Sequence, residues 1–115
     1  MNREVLEHYA EYYNKQEGRK YPCSNQTVIC AIITNDKDKA LNFMKDKPVV
    51  RMESSNTTIN WYLDNGERWL WRIWNESMRG CRFYKVAVDQ NISDDMFNFF
   101  VLPFCALYCC SMEVI

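Results

Sequence analysis

The sequence predicts a mixed α/β domain: a mostly parallel sheet carrying a β-hairpin at about residues 57–74 and three helices at about 3–16, 37–46 and 94–102. Three observations carry this expectation. "TVICAIIT" (27–34) is apolar at consecutive positions and rich in β-branched residues, the pattern of a strand buried on both faces. Strand-like runs alternate with segments of helical period, which favours parallel strands with helices packed on them. Two aromatic-rich runs in "TTINWYLDNGERWLWRIW" flank Asn65-Gly66, the dipeptide favoured in hairpin turns.

In chain order, "REVLEHYAEYYNKQ" places Val5, Leu6, Tyr9, Tyr12 and Tyr13 on one helical face, with Gly18 as a terminator. Thr34, Asn35 and Asp36 follow the first strand and are good N-cap types. The helix "KDKALNFMKD" then carries Ala40, Leu41, Phe43 and Met44 as its buried stripe and stops at Pro48. "PVVRMES" is a short strand. A two-residue type I′ turn at Asn65-Gly66 sets Trp61 opposite Leu70 and Tyr62 opposite Trp69. One hairpin face then holds Ile59, Trp61, Leu63, Leu70 and Trp74, with Arg68 and Arg72 among them. The other holds Tyr62, Trp69, Trp71 and Ile73. "CRFYKVAVD" is the next strand. Ser93, Asp94 and Asp95 start a helix with Met96, Phe97, Phe100 and Val101 inward and Pro103 at its end. "ALYCCSMEVI" is a final strand that could pair edge to edge if uncovered.

The 115 residues suit one compact domain, 1–115. A net charge of −1 argues against a strong phosphate-backbone binder, which carries a basic excess. "MNREVLEHYA" is charged and helical rather than a signal peptide, and no apolar run reaches membrane-spanning length. A cytoplasmic location follows as the expectation, with the six Cys as reduced thiols.

From "VICAIITNDKDKALNFM" through "INWYLDNGERWLW" and "SMRG" to "FYKVAVDQ", about residues 27–102, the order resembles the ATPase core of phage large terminases and related RecA-like P-loop proteins. The resemblance implies a strand-end magnesium ligand at Asp89 followed by a catalytic Glu. The chain departs from it twice. It has no Gly-x-x-x-x-Gly-Lys-Ser/Thr loop to cradle phosphates, Lys20 being a lone cation without one. Gln90 stands where the general base belongs, and an amide cannot accept the proton. The expectation is a P-loop-like fold without Walker A chemistry: no enzyme, no catalytic residue and no cofactor.

Asp89 is the one weak metal candidate; a strand-end acid capping a turn, or pairing with Arg79 or Arg82, is the reading favoured over it. Asp89, Asp94 and Asp95 are the carboxylates a magnesium-dependent nuclease would need, though a helix start wants Asp94 and Asp95 anyway. Cys105, Cys109 and Cys110, with Cys23, Cys30 or Cys81, lack the paired spacing of zinc sites, and His8 lies on the first helix. Trp69, Trp71, Arg72, Trp74, Arg79 and Arg82 form the candidate binding surface, since Trp and Arg dominate interaction hot spots. Its expected basis is a hairpin with one aromatic face partly exposed. The leading functional expectation is a non-catalytic binding or inhibitor protein, an accessory of a phage or mobile element. It would occupy a protein partner such as a host defence nuclease, in the manner of an anti-CRISPR. The alternatives are a nucleotide-binding or nucleotide-sequestering domain with a remodelled phosphate site, and the nuclease.

Overall fold

The structure, a computed structural model, describes residues 2–15, 28–74, 83–105 and 111–115. The fold is mixed α/β, as the sequence predicts. One six-stranded sheet has the order β2-β3-β4-β1-β5-β6. The strands are β1 (Val28–Ile33), β2 (Val49–Ser54), β3 (Thr58–Leu63), β4 (Glu67–Arg72), β5 (Lys85–Val88) and β6 (Ser111–Val114). β1 runs parallel to both β4 and β5, and β5 parallel to β6. β2, β3 and β4 form an antiparallel meander. Central β1 is apolar on both faces because each face meets a core.

Helix α1 (Arg3–Asn14) is capped by Asn2, whose side chain accepts from the Glu4 amide. It buries Leu6, Ala10 and Tyr13; Val5 and Tyr12, expected on the buried stripe, are 41% and 57% exposed. The apolar face is narrower than the periodicity implied. Helix α2 (Lys37–Met44) starts at Asp36, whose carboxylate accepts from the Asp38 and Lys39 amides. It ends two residues before the expected 46.

Two cores flank the sheet. On one side Leu6, Tyr13, Ala31, Ile33, Leu70, Trp74, Phe83, Val86, Val88, Phe97 and Met112 pack together. On the other, Ala40 and Met44 of α2 meet Cys30, Ile32, Ile59, Trp61, Leu63, Trp69, Trp71 and Ala87.

The hairpin corrects the expected turn and register. Trp61 lies opposite Trp69, and Tyr62 opposite Arg68. Asp64–Gly66 form a three-residue connection closed by the Gly66 amide on the Leu63 carbonyl, and only Gly66 has a positive φ, +88°. This is a type I turn followed by a left-handed glycine, not type I′. Asn65 keeps a negative φ, and its Oδ1 accepts from the Glu67 amide. A one-residue slip exchanges the faces of one strand relative to the other. Ile59, Trp61 and Leu63 therefore share a face with Trp69 and Trp71, not with Leu70 and Trp74. An added Cβ at Gly66 meets nothing within 4 Å, so Gly66→Ala tests backbone strain alone. We expect it to cost about 1 kcal/mol in chemical denaturation.

The third helix, α3, also departs from expectation. It begins as an α-turn at Asp94–Met96, capped by Ser93, widens into a π-helical segment at Phe97–Val101, and closes as an α-turn at Leu102–Cys105. Pro103 lies inside this run instead of ending it. Proline clashes with the carbonyl four residues back in a regular helix, and a π-turn, with its bonds spanning five residues, relieves that crowding. The Leu102 amide makes such a bond, to the Phe97 carbonyl. Met96, Phe97, Phe100 and Val101 point inward as expected.

Candidate functional site

Among the described residues, two places gather polar side chains. The first is at the carboxyl ends of β1 and β5, adjacent strands whose chains leave in opposite directions. After β1 the chain enters α2 on one face; after β5 it enters α3 on the other. Such a divergence is a topological switch point, where open α/β sheets form their ligand crevice.

Asp89 sits there, just past β5, and only 5% of it is exposed. Its Oδ2 accepts from the Thr34 hydroxyl at 2.7 Å. Its Oδ1 accepts from Lys39 Nζ at 2.8 Å and from the Asn91 amide at 2.9 Å. The carboxylate thus caps the turn into α3, as expected. Its cationic partner is Lys39 of α2; Arg79 and Arg82, the partners considered from sequence, lie outside the described residues. Thr34 is fully buried, and the cluster continues through it. Its Oγ1 accepts from the Asp36 amide, and its carbonyl from Trp71 Nε1 at 2.9 Å. Burial pushes the Asp89 carboxyl up, but the bonds from Lys39, Thr34 and Asn91 outweigh it and hold it below the ordinary aspartate range. The cluster ties β1, β5, α2 and the hairpin together.

Gln90, the next residue, accepts from Arg3 Nη1 through its side chain, and its amide donates to the Ile115 carbonyl. Asp94 and Asp95 are exposed at the α3 start. Among the described residues no three His, Cys, Asp or Glu side chains are grouped to hold a metal ion. Cys30 is buried in the α2-side core. Of the other cysteines considered for zinc, Cys23, Cys81, Cys109 and Cys110 lie outside the described residues. His8 is exposed on α1.

The second place is the hairpin, where the expected partial exposure of one aromatic face is corrected. Trp61, Trp69, Trp71 and Trp74 are 3%, 4%, 3% and 8% exposed. Two features make room for them. β4 is an interior strand, flanked by β3 and β1, so both its faces meet a core. The tryptophans are also divided, three on the α2 side and Trp74 on the other. Three of these indole N–H groups find acceptors within the fold: Trp69 donates to Glu67, Trp71 to the Thr34 carbonyl and Trp74 to the Ile32 carbonyl.

What the hairpin presents outward is arginine and tyrosine. Tyr62 and Arg68 pair across β3 and β4, and Arg51 of β2 pairs with Tyr62. The Arg51 and Arg68 guanidinium carbons lie 4.2 Å and 5.8 Å from the Tyr62 ring centre. Asn60 Oδ1 accepts from both Arg68 and Arg72, at 3.1 Å and 2.8 Å. Arg72 Nη1 also donates to the Ile59 and Trp71 carbonyls. These bonds fix two guanidinium groups on one half-buried face. The Nε of Arg68 is buried with no hydrogen-bond partner among the described residues.

Of the sequence-predicted surface, then, Arg72 lies at an accessible face, while Trp69, Trp71 and Trp74 are core. Sequence reasoning missed Arg51, Tyr62 and Arg68 as a group. The local sequence carried no signal for it, because the register that aligns Tyr62 with Arg68 is set by packing.

Compared with protein-family models, with curated proteins and with solved structures, the chain matches none. No helix among the described residues is long and apolar enough to cross a membrane.

Proposed function

We propose that this is a non-catalytic binding protein that occupies a protein partner through the arginine-lined face of its hairpin. The single observation that supports the reading most is the group Arg51, Tyr62, Arg68 and Arg72 on one face. Asn60 holds two of its arginines in place, so part of their ordering cost is met before binding. Arg and Tyr are the side chains that interaction hot spots favour. The internal saturation of Asp89 points the same way, since its oxygens already hold Lys39, Thr34 and Asn91. The terminase-like resemblance without a phosphate loop suggests the concrete form: a cytoplasmic accessory protein of a phage or mobile element that inhibits a host defence nuclease.

The test is capture of partners from the native host by the wild-type chain and by Arg68→Glu/Arg72→Glu, with circular dichroism to verify the fold. A partner recovered by the wild type and lost by the folded variant is the expected result. Equal recovery by both would remove this face from the proposal. Arg79→Ala and Arg82→Ala extend the test to the adjoining segment.

A nucleotide-binding role is the second reading, favoured by the position of Thr34, Lys39 and Asp89 at the switch point. Titration calorimetry with ATP and GTP, with and without magnesium, separates the two. Micromolar binding weakened by Asp89→Asn would favour this reading, and no heat with any nucleotide would remove it.

A further inference from the structure

The two edges of the sheet are treated differently. At β6, the side-chain amide of Asn14 closes the outer edge. Its Nδ2 donates to the Met112 carbonyl at 3.1 Å, and its Oδ1 accepts from the Met112 amide at 2.8 Å. One carboxamide thus mimics a neighbouring strand, so the terminal strand, which could pair edge to edge if uncovered, is capped there. At the other edge, every residue of β2 from Val50 to Ser54 is exposed. Val50 is 67% and Met52 46% exposed, unusual values for apolar residues on a strand.

The backbone polarity of β2 follows from its pairing. The Ser55 amide donates to the Thr58 carbonyl, so Ser55, and by alternation Glu53 and Arg51, turn their backbone groups toward β3. Met52 and Ser54 turn theirs outward, donors and acceptors that template strand addition.

We propose that this edge is the contact between two copies of the chain, with β2 pairing antiparallel to its two-fold-related counterpart about Met52. The charges select this register. Pairing Met52 with Met52 of the second copy sets Arg51 opposite the second copy's Glu53, and Glu53 opposite its Arg51. A slip of the two-fold axis by one residue one way sets Arg51 against its own copy, and the other way Glu53 against its own copy. Directly opposed unlike charges stabilise a strand pair and like charges destabilise it. Arg51 and Glu53 already lie on one face, 3.3 Å apart and with side chains 64% and 55% exposed, so each can turn to the new partner. On the opposite face, Met52 borders a groove of about 490 Å³ lined by Leu41, Met44, Val49 and Trp61, which the second Met52 would help to cover. The bulge between Val49 and Arg51 lies at one end of the strand and leaves Arg51–Ser54 regular. The pairing shares Arg51 with the arginine face, but its readout, mass with no partner present, is separate from partner capture.

Sedimentation equilibrium from micromolar to millimolar concentration is the test. The expected result is a reversible dimer of twice the 13.8 kDa chain mass. Met52→Pro removes an outward amide without touching a bond to β3 and should leave a folded monomer. Arg51→Glu and Glu53→Arg, each alone, should weaken dimerisation by about tenfold or more, since each turns two attractive pairs repulsive. The double variant Arg51→Glu/Glu53→Arg should restore the dimer. A wild-type monomer at every concentration would overturn the proposal. So would a dimer that Met52→Pro leaves intact, or a double variant that stays as weak as the single ones.

Discussion

Trp71→Ala should lose about 4 kcal/mol of folding stability, the scale of emptying a large aromatic site in a packed core. Trp71 is 3% exposed and packs in the α2-side core with Ile59, Trp61 and Trp69. Its truncation also leaves the buried Thr34 carbonyl without the indole donor it now has at 2.9 Å. The measurement is a urea denaturation midpoint with an unchanged slope, so that the loss is one of stability and not of denatured-state compactness. The adjacent Arg72→Ala is the contrast. Arg72 is half-buried and bonds to Asn60 and two carbonyls, and its removal should cost about 1 kcal/mol. If Trp71→Ala were as mild as Arg72→Ala, the hairpin would not be the two-sided core element described above. The pair also guards against misreading a binding assay: a tryptophan variant that fails to bind has first failed to fold.

The second large effect is at Asp89. Asp89→Ala strips partners from Lys39, Thr34 and the Asn91 amide at once, and should cost about 3 kcal/mol, the lower end for breaking a buried ion pair. The side chains of Lys39 and Asp89 are 26% and 6% exposed, so the acid is the more deeply buried partner and the pair is only partly screened. The pH dependence has a definite sign. The folded pKa of Asp89 lies below its ordinary value, so the unfolded chain takes up the proton first. The stability contributed is present above the ordinary aspartate value, about 3.9, and is lost as pH falls from there through the folded value. Denaturation midpoints recorded down this range should fall steeply for the wild type and less steeply for Asp89→Asn. A residual slope should remain in that variant. Burial pushes Glu67 up, but its bonds with Lys85 and Trp69 hold it below its ordinary value, so it contributes with the same sign. Equal slopes for wild type and Asp89→Asn would show that the Lys39 pair contributes no acid sensitivity.

Local chemistry made much of this molecule legible in its sequence. β1 reads as doubly buried because six consecutive residues, Val28–Ile33, carry no polar side chain. Helix starts at Asp36 and Ser93 were readable because their side chains accept amide bonds within three residues. Asp89 was readable as a strand-end acid capping a turn, since its bond to the Asn91 amide is local. Its cation was not readable. Lys39 lies fifty residues away and meets Asp89 only because β1 and β5 are neighbours.

The hairpin shows where sequence reading stops. Asn65-Gly66 announces a turn, but two-residue and three-residue connections use the same dipeptide. The choice between them moves every side chain of one strand to the other face. Turn energies differ by little, whereas burying Trp61, Trp69 and Trp71 together against α2 is worth several kcal/mol. The packing therefore selects the register, and with it the arginine face. The same division holds for the sheet edges. Composition places Asn14 on a helix and Arg51 and Glu53 on a strand. Only the assembled sheet sets Asn14 against Met112 and leaves β2 open. By itself the sequence determined the elements, their caps and the apolar central strand, because those depend on neighbours in the chain. The tertiary structure decided register, the burial of the tryptophans, the partner of Asp89 and the open edge, because those depend on contacts between distant segments.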